Sequence, residues 1–196
     1  MKSDTRERIL RAATELFSEQ GYDATSLRQL ADRLGFTKAA LYYHFQSKDE
    51  ILEALVDPVL EMLDDLVERL EQARSTEDWA DALAWIVTQL FEKLDFFRLM
   101  DRNRHSVELM TEALKRHDHI RMHERVEKAA HEAAASPRDE IRMIAALGAV
   151  TGFDDWAPTL LAESPPEMLR AELNATIRDI LKLPARRRTK AAASQP

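Results

Sequence analysis

Between Thr37 and Lys48 the chain carries the hydroxyls of Thr37, Tyr42 and Tyr43, the imidazole of His44 and the ammonium groups of Lys38 and Lys48. Groups of these types donate hydrogen bonds to phosphate oxygens and to base edges. Singly, each has an ordinary reading: paired tyrosines on a helix are usually core, a lone histidine satisfies a local hydrogen bond, and a lone lysine is solvated. Only their order and spacing, together with the helix caps around them, carry information.

A second cluster offers metal chemistry. His117, His119, His123 and His131 lie in the stretch RHDHIRMHERVEKAAH, and His119 and His123 share a helix face at i and i+4, as paired metal ligands do. No compelling third ligand stands nearby, and Arg116, Arg121 and Arg125 would repel a cation. Solvated histidines are the better reading, and no metal or other cofactor is expected. Catalytic machinery is equally sparse. The absence of cysteine excludes thiolate nucleophiles, disulfides and cysteine-based zinc sites, and fits the reducing cytoplasm. There is no Gly-rich phosphate loop, nucleophile elbow or HExxH helix. Asp154 and Asp155 are adjacent, so on a helix they point about 100° apart and make a poor acid/base pair. An enzyme is not expected. The opening MKSDTRERIL lacks the apolar core of a signal peptide, and no apolar run approaches the ~20 residues that span a bilayer, so export and membrane anchoring are not expected either.

The elements that must position the Thr37–Lys48 groups follow from apolar spacing and caps. With 45% hydrophobic and 32% charged residues and only four glycines in 196, an all-α fold of about nine helices is expected. Ile9, Ala12, Ala13, Leu16 and Phe17 form one helical stripe that ends at Gly21. Thr25 or Ser26 can cap a second, short helix bearing Leu27, Leu30, Ala31 and Leu34, and Gly35 ends it. Thr37 can cap a third over 38–45, with Leu41 and Phe45 on its buried face. Ser47 and Glu50 read as a capping box that starts a long fourth helix. Two short helices joined by a glycine turn make a helix-turn-helix, whose second member can lie in the major groove. Eight residues make a rod of ~12 Å, matched to a groove ~12 Å wide. Thr37 and Lys38 then lead into the groove, Tyr42, Tyr43 and His44 can reach the flanking backbone, and Lys48 adds charge to a helix N-terminus suited to an anion.

The run TSLRQLADRLGFTKAALYYHFQSKDEIL resembles the DNA-binding domain of the TetR family of bacterial transcriptional repressors. The resemblance covers about residues 5 to 55. It rests on Ala12 and Phe17, the Gly21-Tyr22 turn, Thr25, Leu30-Ala31, Gly35, the core of Leu41, Tyr42, His44 and Phe45, and Lys48. It implies that Thr37, Lys38 and Tyr43 face bases, while Thr25, Arg28, Tyr42, His44 and Lys48 hold phosphates. Charge agrees with such a division. Residues 1–48 carry eight Lys or Arg against six Asp or Glu, a balance of +2 that leaves −9 for the rest out of a total of −7. An acidic body discourages nonspecific adhesion while a basic head approaches phosphates.

Residues 49–183 are expected to form a helical effector-binding and dimerisation body, and 184–196, with Arg186, Arg187, Arg188 and Lys190, a disordered basic tail. The fourth helix carries Leu52, Leu55, Val56, Val59, Leu63, Leu66, Val67 and Leu70 at helical spacing, with Pro58 expected to kink it near Leu55. Ser75 or Thr76 should cap a helix over 77–94. Ser136-Pro137 and Ser164-Pro165 should start the last two by the same device, a serine cap before a first-turn proline. Ile141, Ala145, Gly148 and Gly152 on one of these, with Leu173 and Ile177 on the other, could meet their copies in a homodimer or be buried within one chain. Trp85, Phe97, Met100, His105, Met110 and Phe153 could line a cavity for a lipophilic small molecule or form plain core. The reading that results is a homodimeric repressor that binds an inverted-repeat DNA operator and is released by an effector. The alternative is a helical adaptor or ligand-binding protein whose head does not read DNA.

Overall fold

The computed structural model describes residues 2–97, 119–152 and 159–184, and these are helical or connecting, without a strand. The bounded helices are α1 (Lys2–Gln20), α2 (Leu27–Leu34), α3 (Lys38–His44), α4 (Lys48–Gln72), α5 (Thr76–Glu92), α6 (His119–Ala133), α7 (Pro137–Thr151) and α8 (Pro166–Ile180). No helix among the described residues is long and apolar enough to cross a membrane.

The apolar stripes build two cores. In the head, Ile9, Ala13 and Phe17 of α1, Leu30 and Ala31 of α2, Leu41 of α3, Phe45 after it, and Ile51 and Leu52 of α4 pack together, nearly all inaccessible. Phe17 meets Tyr22 edge-on at 5.1 Å, which fixes the turn after α1 onto that core. In the body, α5 is the central helix: Trp79, Leu83, Ile86 and Val87 are buried, and α4, α7 and α8 pack around it. α6 closes the side between α4 and α7.

Helix α4 is common to both cores. Its buried residues up to Val56 belong to the head and those from Val59 onward to the body, while the half-buried Leu60 still packs on the head core. Pro58 lies between them, exposed, inside a helix that runs unbroken from Lys48 to Gln72. The helix continues through the proline, whose exposed ring leaves the Ala54 carbonyl without its intrahelical donor. Along α4 the buried positions include Ile51, Ala54 and Met62, whereas Leu55 and Leu63 are only half-buried.

The caps are largely those the sequence suggests. Ser26, Thr37, Ser47, Ser75 and Ser136 each accept a hydrogen bond from a first-turn backbone N–H. Two details differ, and the choice between Thr25 and Ser26 is settled. Ser26, not Thr25, caps α2, and its partner Gln29 completes a capping box. Glu50 reaches back to the Gln46 N–H rather than to its own N-cap residue. The expected repeat of the serine device at α8 fails: with Pro166 in the first turn the capping position falls on Pro165, which has no side-chain oxygen, so no side-chain cap forms.

Gly35 ends α2 at φ 67°, in the left-handed region, and its N–H reaches the Ala31 and Asp32 carbonyls. A Cβ there would meet nothing within 4 Å, so a side chain would be opposed by backbone strain alone. Gly35→Ala is accordingly expected to lower stability by about 1–2 kcal/mol in urea unfolding without changing the unfolding slope.

Candidate nucleic-acid interface

Of the groups singled out between Thr37 and Lys48, Lys38, Tyr42 and Lys48 converge, while Thr37, Tyr43 and His44 stand outside the shared depression. One open depression in the head is lined by Tyr22, Thr25, Ser26, Leu27 and Arg28 from the start of α2 and the turn before it, Lys38 and Tyr42 from α3, and Lys48 and Asp49 from the start of α4. Helix N-termini expose unpaired N–H groups and a partial positive charge, so the α2 and α4 starts add to the lysines in making this surface receptive to anions.

α3 stands exposed on the outer side. Leu41 and the adjoining Phe45 are buried in the head core, which fixes the opposite face toward solvent. Thr37 and Lys38 are exposed there, and Tyr43 is 66% exposed, which removes the reading of Tyr43 as core. Tyr42 and His44 are half-buried, with Lys38 Nζ 5.4 Å from the Tyr42 ring centroid and the His44 ring edge-on to Tyr43 at 5.2 Å. The Thr37 hydroxyl accepts from the Ala40 N–H at 3.1 Å, so the same group that starts the helix stands at its leading end.

Lys48 does more than supply charge. Its ammonium donates to the Tyr22 carbonyl at 2.7 Å and sits 4.3 Å from the Tyr22 ring centroid, tying the start of α4 to the turn between α1 and α2. The Tyr22 hydroxyl donates to Asp49. Burial, then the neighbouring Asp49 carboxylate, push this phenol well above its ordinary value, so it stays protonated. Asp49 and Tyr22 were not foreseen as part of the site. They lie 27 residues apart, and neither has a spacing signal that joins them.

Thr25, expected at a phosphate, is only 3% exposed. Its hydroxyl donates to the Gly21 carbonyl at 2.8 Å and accepts from Gln20 Nε2 at 3.1 Å. Its side chain therefore orders the turn before α2. Arg28 is exposed, with Asp32 one turn on at 3.9 Å.

Residues 9–55, which contain the whole of this surface, match the family model of bacterial regulatory proteins of the tetR family. Over those residues the chain is similar to the TetR family. KstR2 of Rhodococcus jostii, an HTH-type transcriptional repressor, is 38% identical over 96 residues, covering 48% of this chain and 45% of KstR2. The chain spans about half the length of the curated relatives it matches. Solved structures follow it further. PfmR from Thermus thermophilus aligns with a TM-score of 0.59 at 27% identity over 91% of this chain and 100% of PfmR. SmeT in complex with triclosan aligns at 0.61 and 25% identity, over 88% of this chain and 90% of SmeT.

In the body, the surfaces expected to bind an effector and a second copy are only partly in view. Trp85 and Phe97 are half-buried at the edge of the body core, Trp85 with the Arg69 guanidinium 4.2 Å from its ring centroid. Met100, His105, Met110 and Phe153 lie outside the described residues, as do His117 and the 185–196 stretch. His131 Nδ1 lies 3.2 Å from Glu140. On α7, Ile141 is 69% exposed and Ile144 40%, with Ala145 and Gly148 exposed beside them. Gly152 is half-buried. Leu173 and Ile177 are placed differently from an intersubunit surface: both are buried in the chain's own body core, because that stripe of α8 faces α5.

Two lysines of the depression should therefore behave differently on substitution. Lys48→Ala removes the link to Tyr22 and should cost about 1 kcal/mol in urea unfolding, whereas Lys38→Ala, exposed and away from the core, should stay within about 0.5 kcal/mol of wild type. Raising the pH gives a second check. A phenol held protonated in the fold contributes stability below its ordinary value of about 10 and loses that contribution as pH climbs past it. Wild-type stability should fall more steeply above that pH than stability of Tyr22→Phe.

Proposed function

We propose that the protein is a cytoplasmic, homodimeric transcriptional repressor that binds an inverted-repeat DNA operator through α3 and is released from it by a small molecule. The observation that carries this reading is the convergence of Arg28, Lys38, Tyr42 and Lys48, from three different helices, on one exposed depression beside the outward face of α3. Thr37, Lys38 and Tyr43, at the exposed positions of α3, are suited to base edges. Arg28, Tyr42, His44 and Lys48 are suited to the phosphates on either side. Thr25 acts from inside, holding the turn that aims α2.

The repressor sign follows KstR2. The small-molecule step is supported by SmeT, which shares the fold over most of this chain and was solved with triclosan. A lipophilic effector suits the aromatic edge at Trp85 and Phe97, with Met100, His105, Met110 and Phe153 as its further lining. An effector that binds better when the two heads are wrongly spaced must lower DNA affinity, since coupled binding is reciprocal. The second copy would cover the outward stripe of Ile141, Ile144, Ala145 and Gly148, where a Cβ added at Gly148 meets nothing within 4 Å and the backbone is open to close approach. Pairing two heads about 34 Å apart matches one turn of DNA.

Selection from a random duplex pool with the purified protein should enrich an inverted repeat, bound more weakly as salt rises. No enrichment at low salt, with or without cell extract, would remove the DNA-binding reading. For the dimer, Ile141→Asp should leave the helical content unchanged and halve the mass seen by sedimentation equilibrium. An unchanged mass would place the interface elsewhere.

A further inference from the structure

α1 contributes nothing to the contacts proposed above, yet two of its side chains reach the flanks of α3. The Arg6 guanidinium lies 4.9 Å from the ring centroid of Phe45, the residue that closes α3, and the Arg8 guanidinium lies 5.2 Å from that of Phe36, the residue just before the Thr37 cap. The two arginines thus bracket α3, one at each end. Both are exposed. Among the described residues neither is joined to a carboxylate, whereas Arg33 is bound to both oxygens of Glu19 and Arg28 lies near Asp32.

We propose that Arg6 and Arg8 are two further phosphate contacts, one on each side of the groove that α3 enters, and that the rings of Phe45 and Phe36 hold them ready for that role. The inference rests on the DNA-binding reading of the head. A guanidinium stacked on an aromatic face has lost much of its rotamer freedom before any ligand arrives, while its in-plane N–H groups stay available for a phosphate's paired oxygens. With no carboxylate to leave, each arginine meets a phosphate without exchanging one salt bridge for another. Phe36 and Phe45 are held by the head, Phe36 through its N–H to the Ala31 carbonyl and Phe45 by full burial, so the platforms move with α3 and keep the arginines in register with it.

The test measures the affinity of the full chain for a fluorescein-labelled duplex of mixed sequence by anisotropy across a potassium chloride series. Each phosphate contact contributes about 0.9 to the slope of log affinity against log salt. Arg6→Gln/Arg8→Gln should flatten that slope by about 1.8 per protomer bound and weaken low-salt binding at least tenfold. Arg6→Lys/Arg8→Lys keeps the charges and should keep the slope. Phe36→Leu removes one platform but no charge, and should weaken binding at an unchanged slope. Should the double glutamine variant lose its helical circular dichroism, the single variants read the same quantity, about 0.9 each. A wild-type slope in the glutamine variants, with or without a lower melting temperature, overturns the proposal and leaves the arginines a purely structural role. If the wild-type chain itself fails to bind the duplex at low salt, the DNA-binding reading falls first.

Discussion

A single helix, α4, is buried along most of its length, but in two different cores. Its first two turns close the head against α1, and the remainder is packed against α5 and α6 in the body. Neither core can be completed without it, so any change in the body that shifts α4 must be felt where Ser47 and Lys48 meet the turn between α1 and α2. Glu71 and Arg125 add a bidentate pair between α4 and α6 at 2.7 and 2.8 Å, which holds the Glu71 carboxyl below its usual range. Phe96, beyond the end of α5, packs against both cores. Pro58 stands where one core gives way to the other, at the point where α4 lacks a backbone hydrogen bond and bends most cheaply. The proposed release of DNA by an effector needs a shared element of this kind.

The head is set out by small polar side chains acting at helix ends. Ser26, Thr37 and Ser47 start three successive helices, Gly35 turns the chain between two of them, and Leu41 and Phe45 decide which side of α3 remains outside. The same residues that fix direction therefore fix exposure. Lys48 shows how positioning and recognition overlap: its contact with the Tyr22 carbonyl locks the base of the depression while its charge stays beside the opening.

Much of this was legible in the sequence because the signals are local. Caps, glycine stops and the 3.6-residue spacing of Ile9, Ala13 and Phe17 depend on neighbours a few residues away, and the structure places the expected helices accordingly. Depth was harder to read. Thr25 has the type of a phosphate ligand, but its burial depends on Gly21 and Gln20 folding back over it. Leu173 and Ile177 carry a stripe that suits either a partner copy or α5, and only the packing of α8 on α5 decides between them. Tyr22 with Asp49, and Arg6 with Phe45, are pairs of long sequence separation that no periodicity links. The start of α8 was misread because two consecutive prolines move the capping position one residue past the serine.

Whether the outward face of α3 and the starts of α2 and α4 form one DNA-reading surface can be read from backbone amide NMR during titration with a duplex enriched by selection. Shifts are expected to concentrate at residues 26–29, 37–44 and 47–49, with α7 and the outer face of α8 unmoved. Shifts centred on the α7 stripe, or none in the head at saturating DNA, would contradict that reading.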